Sequence, residues 1–299
     1  MATRRSLRRM HSNASLEAPT KRVKRVSKEN IQQPCEVVYT PGPKIVHEYP
    51  RLVQGQLLKR YKRFLADIQL GNDEIVTVHC PNTGPMISLL DVPNAGVQLS
   101  VSDNAKRKYA HTLEQIQIQN GEWVGVHSTS ANNMVGVALR KGWLPQAVEH
   151  RKITNIKAEV KHTSHSRIDF VVETKQEDVE KTFYIEVKSV TLATESNQAV
   201  FPDTVSTRAQ KHVEELIAFQ TKAKKDNIQS VILFLVQRKD CTSFAPSRKH
   251  DPAFAALCDA ASTAGVKLIA FDCELVVEGD KGHVVLKGQL PLESSSENN

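Results

Sequence analysis

Two short segments carry the residues best placed for chemistry, Ser166-Arg167-Ile168-Asp169-Phe170-Val171-Val172 and Thr182-Phe183-Tyr184-Ile185-Glu186-Val187-Lys188-Ser189-Val190-Thr191. Both alternate apolar and polar residues with the period of a strand. Residues 173–181 between them are nearly all charged or amide, so the pair predicts a hairpin with a longer loop. Counting by twos puts Ile168, Phe170 and Val172 on one side of the first strand and Phe183, Ile185 and Val187 on one side of the second. Asp169, Glu186 and Lys188 fall on the opposite sides. A symmetric loop pairs positions whose numbers sum to about 355, which sets Asp169 across from Glu186 and Arg167 across from Lys188. Opposed side chains stand roughly 5 Å apart, where two carboxylates repel unless a cation lies between them.

Magnesium suits such a pair, because it is a hard cation that takes one or two carboxylates and fills its shell with water and phosphate oxygens. Manganese is the alternative. Lys188, two residues beyond Glu186 on the same face, would hold positive charge over an attacking water or a developing phosphorane oxygen. That is hydrolytic phosphodiester chemistry. The tripeptide Glu186-Val187-Lys188 alone is weak evidence, since this composition yields roughly four acid-x-base tripeptides by chance.

The surrounding order of elements adds to it. Residues 155–161 have helical composition and supply Glu159; a helix, an apolar strand, a second helix and another strand follow the hairpin. This order, with Asp169 and then Glu186-x-Lys188 on consecutive strands, resembles the PD-(D/E)xK nuclease superfamily. More narrowly, six segments resemble the sugar fermentation stimulation protein family. They are Arg60-Tyr61-Lys62-Arg63-Phe64, His79-Cys80-Pro81-Asn82-Thr83-Gly84, Ser166 to Phe170, Tyr184 to Thr191, Phe201-Pro202-Asp203 and Gln210-Lys211-His212. The resemblance covers roughly residues 52–292. It implies metal ligands at Asp169 and Glu186, a catalytic lysine at Lys188 and a supporting acid at Glu159. It also implies DNA binding and an OB-like amino-terminal barrel. Two readings follow: a DNA-binding protein with a magnesium-dependent, endonuclease-type site, and a noncatalytic DNA-binding regulator of sugar metabolism genes on the same fold.

The elements that must position these residues divide the chain. Residues 1–50 read as a disordered basic arm and a Pro-rich linker, 51–142 as a small OB-like β-barrel with a packing helix, 143–292 as a PD-(D/E)xK nuclease-like α/β domain with a mixed sheet, and 293–299 as a polar tail. In the barrel, residues 57–70, 74–80, 96–102, 112–118 and 122–127 alternate as strands. Residues 129–141 have helical spacing with Gly142 as a stop. Basic and aromatic residues interleave at Lys59-Arg60-Tyr61-Lys62-Arg63-Phe64 and again at Lys106-Arg107-Lys108-Tyr109. Basic side chains can track phosphates while rings stack on unpaired bases. The plain alternative for the first cluster is a charged strand edge that resists aggregation.

In the second domain a helix is expected over 205–225, with Arg208 and Lys211 able to face phosphates; Gln210 enters the site only through the family motif. Residues 230–237 read as a strand buried on both faces. Asp251-Pro252 reads as the capped start of a helix that ends at Gly265. His162 and His165 read as polar loop residues rather than metal ligands.

Charge is unevenly spread. Residues 1–28 hold nine basic side chains against Glu17, a net of +8, while the whole chain of 299 residues carries +7, so the remainder is close to neutral. The arm reads as a nuclear-import patch at Lys21-Arg22-Val23-Lys24-Arg25, an organellar transit peptide for a mitochondrion or plastid, or a nonspecific nucleic-acid arm. The expected location is therefore intracellular, in a nucleus or an organelle. The longest apolar run, residues 231–236, is too short to span a bilayer, so no membrane partner is expected. Five cysteines without CxxC spacing argue for a reducing compartment and against structural zinc. Strand preference of the DNA and assembly stay open, a homodimer included.

Overall fold

The computed structural model describes residues 42–161, 167–222 and 227–294. The basic arm, His162, His165 and the end of the tail lie outside the described residues. Strand β1 (Ile45–Glu48) falls where an extended linker was expected. Its Val46 is buried, and the strand pairs antiparallel with the last strand of the chain.

The barrel follows: β2 (Leu52–Tyr61), β3 (Leu65–Leu70), β4 (Ile75–His79), β5 (Gly96–Val101), β6 (His111–Gln117) and β7 (Trp123–Gly125). The first alternating stretch is two strands and not one, because Lys62 and Arg63 adopt positive φ and turn the chain between β2 and β3. The strands run in the order β4-β3-β2-β5-β6-β7, and a further pairing of β4 with β6 closes five of them into an OB-like barrel. Its interior is packed with Leu57, Ile68, Val78, Leu99, Leu113 and Ile116. At Gly55 an added methyl would lie 2.5 Å from Ile68 and 2.8 Å from the Gln69 carbonyl, so the close β2–β3 approach requires glycine there.

Helix α1 (Ser130–Arg140) ends as expected at Gly142, whose φ is positive. The second sheet then builds from β8 (Lys152–Lys161), β9 (Arg167–Gln176) and β10 (Val179–Val190), an antiparallel meander. Residues 155–161 are therefore strand and not helix: eight positions of β8 pair with β9, and that ladder outweighs local composition. A small three-stranded sheet of β11 (Leu192–Ala193), β12 (Gln198–Phe201) and β14 (Ser243–Pro246) flanks the main one. Helix α2 (Thr207–Lys222), strand β13 (Ile228–Val236), helix α3 (Pro252–Thr263), and strands β15 (Lys267–Glu278) and β16 (Lys281–Leu290) complete the chain.

The seven-stranded sheet runs β1-β16-β15-β13-β10-β9-β8, with β10, β13 and β15 mutually parallel. It is covered on both faces. Phe183, Ile185 and Leu233 pack with Met134 and Leu139 of α1, while Ile232 and Phe234 pack with Val213 and Leu216 of α2 and Phe254 of α3. Hence β13 reads as nearly pure apolar sequence. Asp251 caps α3 as its sequence predicts, accepting from Phe254 N at 3.0 Å. No helix among the described residues is long and apolar enough to cross a membrane.

Candidate nuclease-type site

Strand β10 delivers Glu186 and Lys188 to one face by their two-residue spacing. The hairpin register is the expected one, with Val179 opposite Gln176 and Ile185 opposite Phe170. Beyond Phe170 the ladder gives way to a side chain. Asp169 Oδ2 accepts from Val187 N at 2.8 Å, so the carboxylate takes the backbone donor that a continuing strand would have bonded. Ile168 consequently leaves the side it was expected to share with Phe170 and Val172 and joins the opposite core. Arg167 pairs with Lys161 of β8 rather than facing Lys188.

Around these carboxylates the donors are specific. Lys188 Nζ donates to Glu186 Oε1 at 2.7 Å, and both side chains are buried. His212, from α2, also bonds Glu186 Oε1 through Nδ1. A carboxylate acceptor assigns the hydrogen to that nitrogen, and Lys188 Nζ then sits 3.4 Å from it as a neighbour. Asn132 of α1 donates from Nδ2 to Asp169 Oδ1 at 2.7 Å. Gly136, one turn later, lets the helix close on Phe170: an added methyl there would lie 3.2 Å from the ring.

The two acids respond oppositely to their surroundings. Burial, and then the charge of Glu186, push the Asp169 carboxyl up to about 6, against the opposing pull of Val187 N–H, Lys188 and Asn132. Burial also opposes ionisation of Glu186, yet the bond from His212 and the charge of Lys188 hold its carboxyl below the ordinary glutamate range.

The cleft over this cluster has a volume of about 970 Å³. Asp169, Glu186, Lys188, Glu159, Arg208 and Lys211 all line it, together with Arg167, Asn132, Asn133, Ser128 and His212. Glu159 reaches it from β8 in a positive-φ conformation, its side chain largely exposed and 3.9 Å from Arg167. Gln210 does not reach it: its amide donates to both carboxylate oxygens of Asp251, at 2.8 and 3.1 Å. His212 and Asn132 carry roles in the cluster that strand spacing alone does not reveal. The signal for His212 is its place on the helical face of Arg208 and Lys211; for Asn132 it is an adjacent asparagine pair opening an otherwise apolar helix.

None of the basic residues in the barrel's two clusters lines this cleft. Arg60 donates from one nitrogen to the carbonyls of Arg63, Asn82 and Gly84 at 2.6, 2.8 and 2.8 Å, clamping the loop after β4. The Tyr61 hydroxyl donates to Asp67 at 2.9 Å. Lys62 and Arg63 form the exposed β2–β3 tip, with Arg63 Nε donating to the Thr83 carbonyl at 3.1 Å. Arg107 donates to the Thr112 hydroxyl at 2.9 Å, and Lys108 stands 5.3 Å from the Tyr109 ring centroid; Lys106 is exposed beside them. Barrel closure brings the two clusters to one rim. His79 pairs with Leu65, just past the first cluster, and with Thr112, just past the second. Burial and the charge of Arg107 hold the His79 ring below the ordinary imidazole range.

With this geometry in place, comparison with known proteins is decisive on the family. A model of the sugar fermentation stimulation protein RE domain matches residues 129–279, and one of the SfsA N-terminal OB domain matches residues 58–126. The chain belongs to the sugar fermentation stimulation protein family. The family's homolog in Nostoc punctiforme is 42% identical over 238 residues, covering 78% of this chain and 94% of that one. The homologs of Acaryochloris marina and of a Shewanella strain are each 44% identical, covering 78% and 77% of this chain and 92% and 94% of theirs. A solved family structure, that of Pyrococcus furiosus SfsA in complex with Ca2+, superposes with a TM-score of 0.70 at 24% identity, over 83% of this chain and 99% of that one. That likeness is one of fold. These sugar fermentation stimulation protein homologs correct the expected location: they come from cyanobacteria and proteobacteria, which have neither nucleus nor organelle.

Proposed function

We propose that the protein binds DNA and hydrolyses phosphodiester bonds with magnesium, or manganese in its place. The observation that carries this reading is the meeting of Asp169, Glu186 and Lys188 in one polar cleft lined by Arg167, Arg208 and Lys211. Asp169 and Glu186 fit a hard cation: they are oxygen donors on neighbouring strands, buried together, and a divalent charge would offset the desolvation and mutual repulsion that raise Asp169. No group of three His, Cys, Asp or Glu converges among the described residues, so water and substrate phosphate would complete the shell, as magnesium favours. When bound, the cation would supply Lewis acidity at the phosphoryl group and a more acidic water.

The chain's own side chains supply the rest. Asn132 and Val187 N–H fix Asp169, and His212 fixes Glu186. Lys188 holds positive charge beside the reacting phosphoryl oxygens. Arg167, Arg208 and Lys211 neutralise flanking phosphates. Glu159, at the cleft edge, supports from the β8 side. The barrel rim of Lys62, Arg63, Lys106, Arg107, Lys108 and Tyr109 anchors DNA, while Arg60 and Tyr61 serve it indirectly by shaping the rim; Gln210 acts through Asp251. Residues 51–142 thus supply the anchoring rim and, through Asn132, one support of the site, while residues 143–292 carry the cutting residues.

A second reading, a noncatalytic DNA-binding regulator, is favoured by one feature: Glu186 Oε1 already bonds both Lys188 and His212, as in a retained structural pair. One assay separates the two. Purified protein is incubated with single- and double-stranded DNA, with magnesium, manganese or chelator, beside Glu186→Ala and Lys188→Ala. Metal-dependent cleavage reduced by about 10²–10³ in each variant, with binding retained, is expected. Tight binding without cleavage by any form would hand the protein to the regulator reading.

A further inference from the structure

Beside the cleft lies a second chamber of about 180 Å³, at the seam between the barrel loop after β4 and the β10–β12 region. It shares Ser128 with the main cleft, and it is also lined by Ser189 of β10 and by Thr191, just past the end of that strand. Leu192, Val200 and Phe201 also line it, the first two almost fully buried and the Phe201 ring packed against Phe234 and Phe254. Its polar groups are the Asn82 amide, hydroxyls and the Asp203 carboxylate. Thr83, exposed, stands at the barrel side.

The seam is a built one. Asp203 Oδ2 accepts from Met86 N at 3.1 Å, Asn82 Oδ1 accepts from Gly84 N at 2.9 Å, and an added methyl on Gly84 would come within 3.2 Å of both side chains. Arg60 holds the same loop from behind by its bonds to the Asn82 and Gly84 carbonyls.

We infer that this chamber receives one unstacked base of the bound strand, a base that bears an exocyclic amine. The inference rests on the reading of the cleft as a DNA site. Its charge decides against phosphate: the main cleft carries Arg167, Arg208 and Lys211, whereas the chamber wall carries a carboxylate and no cation. Its volume, that of about six waters, suits one heterocycle and excludes a base pair. Asp203 is an acceptor for an amino group at the base edge. Unpaired or mismatched positions cost least to extrude, so the chamber favours cutting near such positions.

The test uses the full chain carrying Lys188→Ala, with a duplex containing a single 2-aminopurine at an unpaired position, and records its fluorescence and the binding anisotropy together. Binding with a severalfold rise in fluorescence is expected. Thr83→Trp, which plugs the chamber from an exposed position, abolishes the rise while binding and melting temperature stay those of the parent. Asp203→Asn, which keeps an acceptor for Met86 N but removes the charge, reduces it. Binding with no rise, or an equal rise in Thr83→Trp, overturns the chamber and leaves the DNA site standing. Absence of DNA binding overturns both.

Discussion

Glu186 Oε1 receives donors from two elements, Lys188 on its own strand and His212 on α2, so the orientation of this carboxylate depends on a helix that sequence spacing does not connect to it. His212 is a positioning residue in this arrangement. His212→Asn is expected to raise the magnesium concentration needed for half-maximal cleavage by roughly 10–100-fold, the range seen when partners of metal-binding side chains are lost, while DNA binding in chelator is unchanged. A fall in maximal rate with no shift in the magnesium titration would assign His212 to the chemistry instead. Asn132 does for Asp169 what His212 does for Glu186, and Gly136, one turn on, leaves room for α1 to lie close against Phe170.

Among the elements, α2 and α3 are tied by a single buried carboxylate. Asp251 accepts from Phe254 N to cap α3, from Ser206 N at 2.9 Å ahead of α2, and from the Gln210 amide. Asp251→Ala is expected to lower stability by about 3 kcal/mol in denaturant titration, because it removes an N-cap and leaves further donors without their acceptor. Asp251→Asn keeps the cap and loses less. Because α2 carries His212, Arg208 and Lys211, cleavage should fall in the alanine variant even below its unfolding midpoint. If both variants match the parent protein, the two helices are held by apolar packing alone.

For the whole molecule, the barrel and the sheet are joined at Arg238 and Asp240. Arg238 makes paired bonds to Asp240 at 2.6 and 2.7 Å and donates to the Thr191 carbonyl; Asp240 accepts from Asn120 of the β6–β7 turn at 3.0 Å. Burial opposes ionisation of Asp240, but the Arg238 bond and charge hold its carboxyl below the ordinary aspartate range. The folded value is the lower one. Its contribution is therefore complete above about pH 4 and is lost as pH falls through the folded value. Asp240→Ala should cost about 3 kcal/mol at neutral pH, since it strands a buried guanidinium, and should flatten the acid limb of stability against pH. An unchanged limb would remove the pair from the acid response. The rim is read by salt: replacing Lys62, Lys106 and Lys108 with alanine should weaken binding evenly across sequences and reduce the slope of log affinity against log salt by about 0.9 for each phosphate that is no longer neutralised. A slope equal to the parent's would place the DNA elsewhere.

By itself the sequence determined what depends on neighbours along the chain. Alternation marked the two strands of the β9–β10 hairpin, a symmetric loop gave the register that holds as far as Ile185 and Phe170, two-residue spacing put Glu186 and Lys188 on one face, an unbroken apolar run marked β13 as buried on both sides, and Asp251-Pro252 announced its helix. These are local periodicities, and burial acts on them directly. The tertiary structure decided what depends on distant partners. Residues 155–161 became strand because β9 offered them a ladder. Residues 45–48 became an edge strand because β16 had a free side. The two basic clusters share a rim because β4 meets β6, and Arg60 turned inward because the loop after β4 presented its carbonyls. His212 and Asn132 joined the acids through the packing of two helices on opposite faces of one sheet. Such arrangements are set by register, barrel closure and layer order, none of which any short stretch of residues encodes.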